Sequence, residues 1–413
     1  MAFNTPTEQI VRSVPRSVSN GYVPPINSPN TFHRPFYPNP PNDASRRVHL
    51  ISSDLWEAIT GEHLTPANIC QILDSSIPLT GDTPNSQSLQ AMQCVLMARD
   101  RQGSRIIQKR LEERNEADRN FIFNSLFPSM NELVYDPSAN FVIQKMCETM
   151  TDEQQTMMLE FFLRDCNAIT DHPNGCRVLQ KFIEFTNHDN VDQLFVALRA
   201  NLIQLCFSQN GNHIVQRFIE LLPERVQEII DCVLPQLSNL VIDNCGCRVV
   251  QRLFEKFQID ILEPLVQEVL SCAPELATNQ YGNYVVQNIL DAGKRAHIAA
   301  LIVAFKGHFY EFSIHKFASN VIEKCIRGAT KQEQEAIFSE VIGNDDRFEK
   351  KRIMRMVGDQ FGNYVIQRII EYGTESQQNA IFDVVYYNYD ALISNNYAKH
   401  VISKLENLGY EFD

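Results

Sequence analysis

Eight short stretches of this chain repeat one arrangement of side chains able to make directed hydrogen bonds and flat contacts. In Gly282-Asn283-Tyr284-Val285-Val286-Gln287 a carboxamide is followed at once by an aromatic ring and, four positions on, by a second carboxamide. Asn363, Tyr364 and Gln367 form a near-identical copy. Looser copies place Ser104, Arg105 and Gln108; Asn140, Phe141 and Gln144; Cys176, Arg177 and Gln180; Asn212, His213 and Gln216; Cys247, Arg248 and Gln251; and Ser319, Asn320 and Glu323 in the same register. A carboxamide gives and receives hydrogen bonds, a carboxylate only receives them, and rings, guanidinium groups and amides offer planes. The chemistry on offer is edge hydrogen bonding combined with stacking.

The elements that must position these side chains follow from their spacing. The first residues of the triplets stand at 104, 140, 176, 212, 247, 283, 319 and 363, so successive copies lie 36, 36, 36, 35, 36, 36 and 44 residues apart. A fixed period in this range marks a solenoid of stacked units. On a helix the first and last members of a triplet share one face, one turn apart, and the middle member lies about 100° round at its edge. The β-branched or Leu pair between them points into a core. Each unit is therefore expected to hold three polar or planar side chains outward on a rigid helix. Seven of the eight copies are followed directly by a cation, Lys109, Lys145, Lys181, Arg217, Arg252, Lys324 and Arg368, with Asn288 the exception. These form a second stripe that is either an ionic contact surface or ordinary solvated helix.

The chain has 413 residues, 44% of them hydrophobic, and a formal net charge of −13. It can bury a large core, and no run approaches the roughly 18 apolar residues that span a bilayer. The excess of acid argues against indiscriminate binding of nucleic acid through a basic surface, though not against a locally basic face. The 11 cysteines, an odd number without CxxC spacing, suit a reducing compartment, and no basic region followed by an apolar stretch opens the chain. An intracellular protein is expected.

Residues 1–48 are rich in Pro, Asn and Ser and read as a disordered tail, with 49–65 a linker. Thr65-Pro66 reads as an N-cap and first helical position for Ala67 to Leu73, and Leu89, Met92 and Leu96 continue a buried face, so that about 66–100 would cap the solenoid. Thr151 with Gln154, Thr330 with Glu333 and Thr374 with Gln377 announce further helices by capping boxes. No stretch alternates strictly over a strand's length, so the fold class is all-α. The long interval of 44 is expected to carry an inserted loop at Gly343-Asn344-Asp345-Asp346-Arg347, before Phe348. Ala398-Lys399-His400-Val401-Ile402-Ser403-Lys404 repeats the apolar pattern without the carboxamides and reads as a C-terminal cap.

With eight copies in register, the chain resembles Pumilio-type (PUF) RNA-binding repeat proteins from about Thr65 to near its C-terminus. The resemblance implies a right-handed α-solenoid crescent of eight three-helix repeats, at about 89–124, 125–160, 161–196, 197–231, 232–267, 268–303, 304–339 and 348–383, within a domain of 66–410 that ends in a cap at 384–410. It also implies a face that binds single-stranded RNA one base per repeat.

The residue chemistry fits that expectation. Uracil mixes an N–H donor with carbonyl acceptors, which the Asn and Gln pairs of repeats 2, 4, 6 and 8 can match. Adenine sets an acceptor beside an amino donor, which a Gln amide matches where Ser104, Cys176 or Cys247 leaves room for a purine. Guanine presents two adjacent donors, and the one acceptor-only carboxylate is Glu323, beside small Ser319. Phe141, His213, Tyr284, Tyr364, Arg105, Arg177, Arg248 and Asn320 would stack. If the last repeat reads the first base, as the resemblance implies, the order is UGUAUAUA. The expected role is repression of translation or promotion of decay through 3′ untranslated regions, in the cytoplasm, as a monomer, with effector proteins docking at the loop near Phe348. A protein-binding α-solenoid scaffold and a nucleolar relative in ribosome biogenesis are the alternatives. No metal or cofactor is expected, Cys245 and Cys247 being ordinary thiols without a His partner. No catalytic motif is present, so an enzyme is not expected.

Overall fold

The computed structural model describes residues 84–343 and 346–412, with side-chain surroundings described from residue 90 onward except at 344–349. The tail, the linker and the expected helix Ala67 to Leu73 lie outside the described residues, which fall within one unit, Leu64–Asp413. No strand occurs among the described residues. The helices that carry the triplets are α1 Arg101–Glu112, α2 Ala139–Cys147, α3 Pro173–Phe185, α4 Asn212–Leu221, α5 Gly246–Lys256, α6 Gly282–Ala292, α7 Ala318–Gly328 and α8 Gly362–Tyr372. A ninth, α9 Ala398–Glu406, carries the capping sequence. Each packs on the next, so the nine make one continuous ladder.

A short helix precedes most ladder helices and a longer one follows each of α1 to α8. Around α6, for example, these are Ala273–Thr278 and Arg295–Ala304. The approach is close at the start of the ladder helices that open on glycine. At Gly246 an added Cβ would lie 2.6 Å from Leu240 Cδ2 and 2.8 Å from the Leu240 carbonyl oxygen. At this approach a residue without a side chain is needed, whereas repeats 2 and 7 accommodate the methyl groups of Ala139 and Ala318 in its place.

The core fills the space between ladder and following helices. Val142, Ile143, Met146 and Cys147 of α2 are buried, as are their counterparts Val285, Val286, Ile289 and Leu290 of α6. Aromatic pairs bridge successive repeats. Phe162, in Asp152–Arg164, meets Phe182 of α3 at 5.0 Å, and Phe195, in His188–Leu198, meets Phe218 of α4 edge to face at 5.4 Å. Each such pair adds about 0.5–1.5 kcal/mol beyond the area it buries, and ties one unit to the next. All three expected capping boxes form, with both reciprocal bonds present at Thr151/Gln154, Thr330/Glu333 and Thr374/Gln377.

Two expectations need correction. The helix Pro84–Arg99 buries Cys94 and Ala98, while Met92 is 45% exposed, so its inner face is turned from the one expected. The Leu89 side chain lies outside the described residues. The extra residues between α7 and α8 do not form a loop throughout, because helix begins again at Asp346 and runs to Val357. Gly343, at φ 104°, ends the preceding helix, and the run from Asp346 is free of Gly and Pro and rich in Arg, Lys and Met, which favour helix. The insertion lengthens the short first helix of the repeat. Residues 344–345 and the Phe348 side chain lie outside the described residues.

Candidate nucleic-acid interface

The residue four positions before each triplet governs the local geometry. Asp136 accepts from the backbone N–H groups of Ser138 and Ala139 at 2.8 and 2.9 Å. Asp243, Asn279 and Asp359 do the same for the starts of α5, α6 and α8. The same job falls to Asp100, His172, Ser208 and His315 in the remaining repeats, and to Asn395 before α9. These caps satisfy N–H groups that a helix start leaves unpaired. They were missed in reading the sequence, although side chains able to cap recur there with the period of the triplets.

The same loop fixes the first triplet residue. Nδ2 of Asn140, Asn212, Asn283 and Asn363 donates to the backbone carbonyl four residues earlier, at 2.7–2.9 Å. The side chains expected to face outward at this position are almost covered instead. Asn140 is 1% exposed, Asn283 2%, Cys176 1%, and Ser104, Cys247 and Ser319 are also buried. The reason is position, since the first turn of the helix is tucked against its own capping loop.

What reaches solvent is the rest of the triplet. Gln144, Gln216, Gln287 and Gln367 each donate from Nε2 to Oδ1 of the Asn one turn earlier, at 2.9–3.1 Å, which fixes the plane of the Gln amide. Each Gln keeps the capacity to accept through Oε1 and to donate through its second Nε2 hydrogen. Gln180 instead donates to Cys176 Sγ, and Gln108 to the Ser104 carbonyl. Burial pushes the Cys176 and Cys247 thiols up to about 11, so both are neutral at ordinary pH. Phe141, Tyr284 and Tyr364 are 45–49% exposed, and Arg105, Arg177, His213, Arg248 and Asn320 are exposed as well.

Middle residues of successive repeats are close enough to act on one another. The pKa of His213 is lowered, first by loss of solvent around the ring and then by the positive charges of Arg248, Arg177 and Arg217. The exposed middle residues, Arg, Phe, Arg, His, Arg, Tyr, Asn and Tyr in chain order, thus recur once per ladder helix. Glu323 departs from the Gln pattern. Arg368 of α8 donates to it at 3.2 Å, and its pKa is raised, chiefly by burial and against the pull of Arg368 and Arg327.

The cation stripe is paired with acids. Lys145 bonds Glu148 at 2.8 Å and Glu112 at 3.2 Å, Lys181 bonds Glu184 and Glu148, and Arg252 bonds Glu255 and Glu220. Arg217 pairs with Glu220 and Lys324 with Asp291. All six of these acids stand four residues after an edge position, and Lys145, Lys181, Arg252 and Lys324 each join their own helix to the preceding one, whereas Arg217 pairs within its own helix. Five of the seven cations thus reach an acid of the preceding ladder helix, Arg368 doing so through Glu323, so most of the stripe forms ion pairs between repeats. Among the described residues no cluster of His, Cys, Asp or Glu has the geometry to hold a metal ion, and no helix is long and apolar enough to cross a membrane.

The chain is similar to known proteins over most of its length. PUF-8 in complex with PBE-RNA superposes with a TM-score of 0.71 at 27% identity, covering 83% of this chain and 98% of that one. The Puf3 RNA-binding domain bound to the Cox17 RNA 3′ UTR recognition sequence site B gives 0.70 at 26%, covering 82% and 99%. Among curated relatives, the Pumilio domain-containing protein C6G9.14 of Schizosaccharomyces pombe is 32% identical over 141 residues, which is 34% of this chain and 20% of that protein. Pumilio homolog 12 of Arabidopsis thaliana is 28% identical over 185 residues, 45% and 30% respectively. The matches thus span less than a third of these relatives' own length. The model of the Pumilio-family RNA binding repeat matches residues 93–127, 129–160, 172–198, 201–234, 236–270, 272–304, 308–342 and 352–385. Eight repeats of that type, carried on one ladder of packed helices, make this chain a member of the Pumilio family of RNA-binding repeat proteins.

Proposed function

We propose that this protein binds single-stranded messenger RNA one base per repeat, with repeats 8 to 1 reading UGUAUAUA. The observation that carries the reading is the edge position of the eight ladder helices. Seven hold Gln and one holds Glu, and the Glu stands in repeat 7, where the second base would lie. The edge residues are Gln108, Gln144, Gln180, Gln216, Gln251, Gln287, Glu323 and Gln367. The amide planes fixed by Asn in repeats 2, 4, 6 and 8 suit uracil, and the neutral thiols or hydroxyl in repeats 1, 3 and 5 leave room for adenine. The exposed middle residues supply stacking, and every base has a face to stack.

The role we infer is that of a cytoplasmic, monomeric repressor of translation or promoter of decay, acting through 3′ untranslated regions and effector proteins. Docking of those effectors near Phe348 would be checked by whether Phe348→Ala loses RNA-independent partners while keeping RNA affinity.

The test of base reading is the double variant Ser319→Asn with Glu323→Gln, assayed by selection from random RNA. Ser319 is buried, but repeat 7 offers an added Nδ2 the same kind of carbonyl, that of His315, which Asp136 and Asn279 provide elsewhere. Guanine would then face a donor opposite its own N–H groups, losing about 1–3 kcal/mol. Selection at the second base should switch from G to U with the other seven positions unchanged. Continued selection of G would show that Glu323 does not read this base.

A further inference from the structure

Glu323 is the one edge residue bonded to a neighbouring repeat's cation through its reading group. Its side chain is 17% exposed, and Arg368 Nε on α8 lies 3.2 Å from Oε2. The same guanidinium donates through Nη1 to Glu371, which also holds Lys404 of α9 at 3.4 Å. The corresponding cations Lys145, Lys181, Arg217 and Arg252 are paired instead with Glu residues beyond the edge positions. Repeat 8 thus reaches across the helix boundary into the reading group of repeat 7.

The contact is compatible with a bound base. A carboxylate has two oxygens with about four lone-pair sites in all, and the N1–H and N2–H₂ edge of guanine needs one on each oxygen. Arg368 can stay on a third. It also matters to what the carboxylate presents, because a protonated carboxyl has one donor and one acceptor and imitates the Gln of the other repeats. Burial pushes Glu323 in that direction, as does Glu371, and Arg368 and then Arg327 oppose it. Lys324, on the same helix, is turned to Asp291 of α6, and Lys404 is held by Glu371.

We propose that Arg368 is a positioning residue for guanine recognition, fixing the orientation of Glu323 and keeping both its oxygens acceptors, so that repeat 8 helps to set the base chosen by repeat 7. The proposal rests on Glu323 being the guanine reader. Base choice in this repeat is then a property of two helices, and a change at a position that touches no base can alter it.

The full chain and its Arg368→Gln and Arg368→Lys variants are titrated with UGUAUAUA and UUUAUAUA at about pH 5.5 and about pH 8. The unmodified protein should prefer the G-containing RNA at both. Arg368→Gln should lose roughly tenfold of that preference at the lower pH, regain much of it at the higher, and leave discrimination at the other bases intact. Arg368→Lys, which keeps a charge but not the fork, should fall between. An Arg368→Gln protein with the same preference as the parent at both pH values overturns the proposal, as does equal weakening for both RNAs. If the unmodified protein shows no preference for G over U, the reading of Glu323 itself fails, and that is seen before any variant is compared.

Discussion

Glu323 carries an electrostatic tension that the Gln residues at the other edge positions lack. Its carboxyl is disfavoured as an anion by burial more than Arg368 and Arg327 favour it, so its pKa in the folded chain is raised. The sign of the consequence follows by linkage. A folded value above the unfolded one means that stability is fullest below the unfolded value and is lost as pH rises through the folded one. At neutral pH the charge is therefore a cost. Glu323→Gln, equal in shape and without charge, is expected to leave the melting temperature at about pH 7 unchanged or raised. It should also flatten the gain that the parent shows on mild acidification. Thermal melts at both pH values decide this, and a fall of several degrees for the variant at neutral pH would mean that the bond to Arg368 outweighs the burial. The thiols of Cys176 and Cys247 carry no such tension, since burial moves them further from ionisation.

At the scale of the helix, the residue before each triplet is as constrained as the triplet itself. Replacing Gly by Ala inside an exposed helix commonly gains about 1 kcal/mol. At Gly246 the new Cβ would stand 2.8 Å from the Leu240 carbonyl oxygen, a backbone atom that cannot swing aside. Gly246→Ala is expected to destabilise by about 1–3 kcal/mol, the usual cost of overpacking, measurable as a lower denaturant midpoint. An unchanged midpoint would mean that the short helix Leu237–Leu240 can shift, as the surroundings of Ala139 and Ala318 already accommodate a methyl group. This contrast also marks what the sequence made legible. The period, the ladder helices and the capping boxes could be read, because each depends on residues within one turn or on a simple repeat. The covering of Asn140 and Asn283, and the cap at Asp136 or Asn279 that causes it, depend on how a loop folds back onto the helix it precedes. The helix from Asp346 was read as a loop because its polarity was weighed above its helix-forming content.

Across the whole molecule, the ion-pair ladder decides how binding should respond to salt. Cations after seven of the eight triplets invite the expectation of a phosphate track, and seven phosphate contacts would give a slope of log K on log salt of about −5, at roughly −0.7 per phosphate on single strands. Lys145, Lys181 and Arg252 are each held by two Glu residues, one on either side of the helix boundary. A cation that leaves its carboxylate for a phosphate releases the phosphate's counterion but exposes a carboxylate that recruits another, so the net release is near zero. The chain as a whole carries a formal net charge of −13, which repels the RNA backbone at long range. On the proposed reading, edge hydrogen bonds and stacking between exposed planes would supply the affinity, and these discriminate where phosphate contacts do not. Titration with UGUAUAUA over a range of salt should give a slope much shallower than −5, roughly −2 or less in magnitude. Poly-U and duplex RNA should bind far more weakly at every salt concentration. A steep slope, or duplex bound as tightly as the single strand, would show that the carboxylates yield their cations to the backbone and that the ladder is a phosphate track after all.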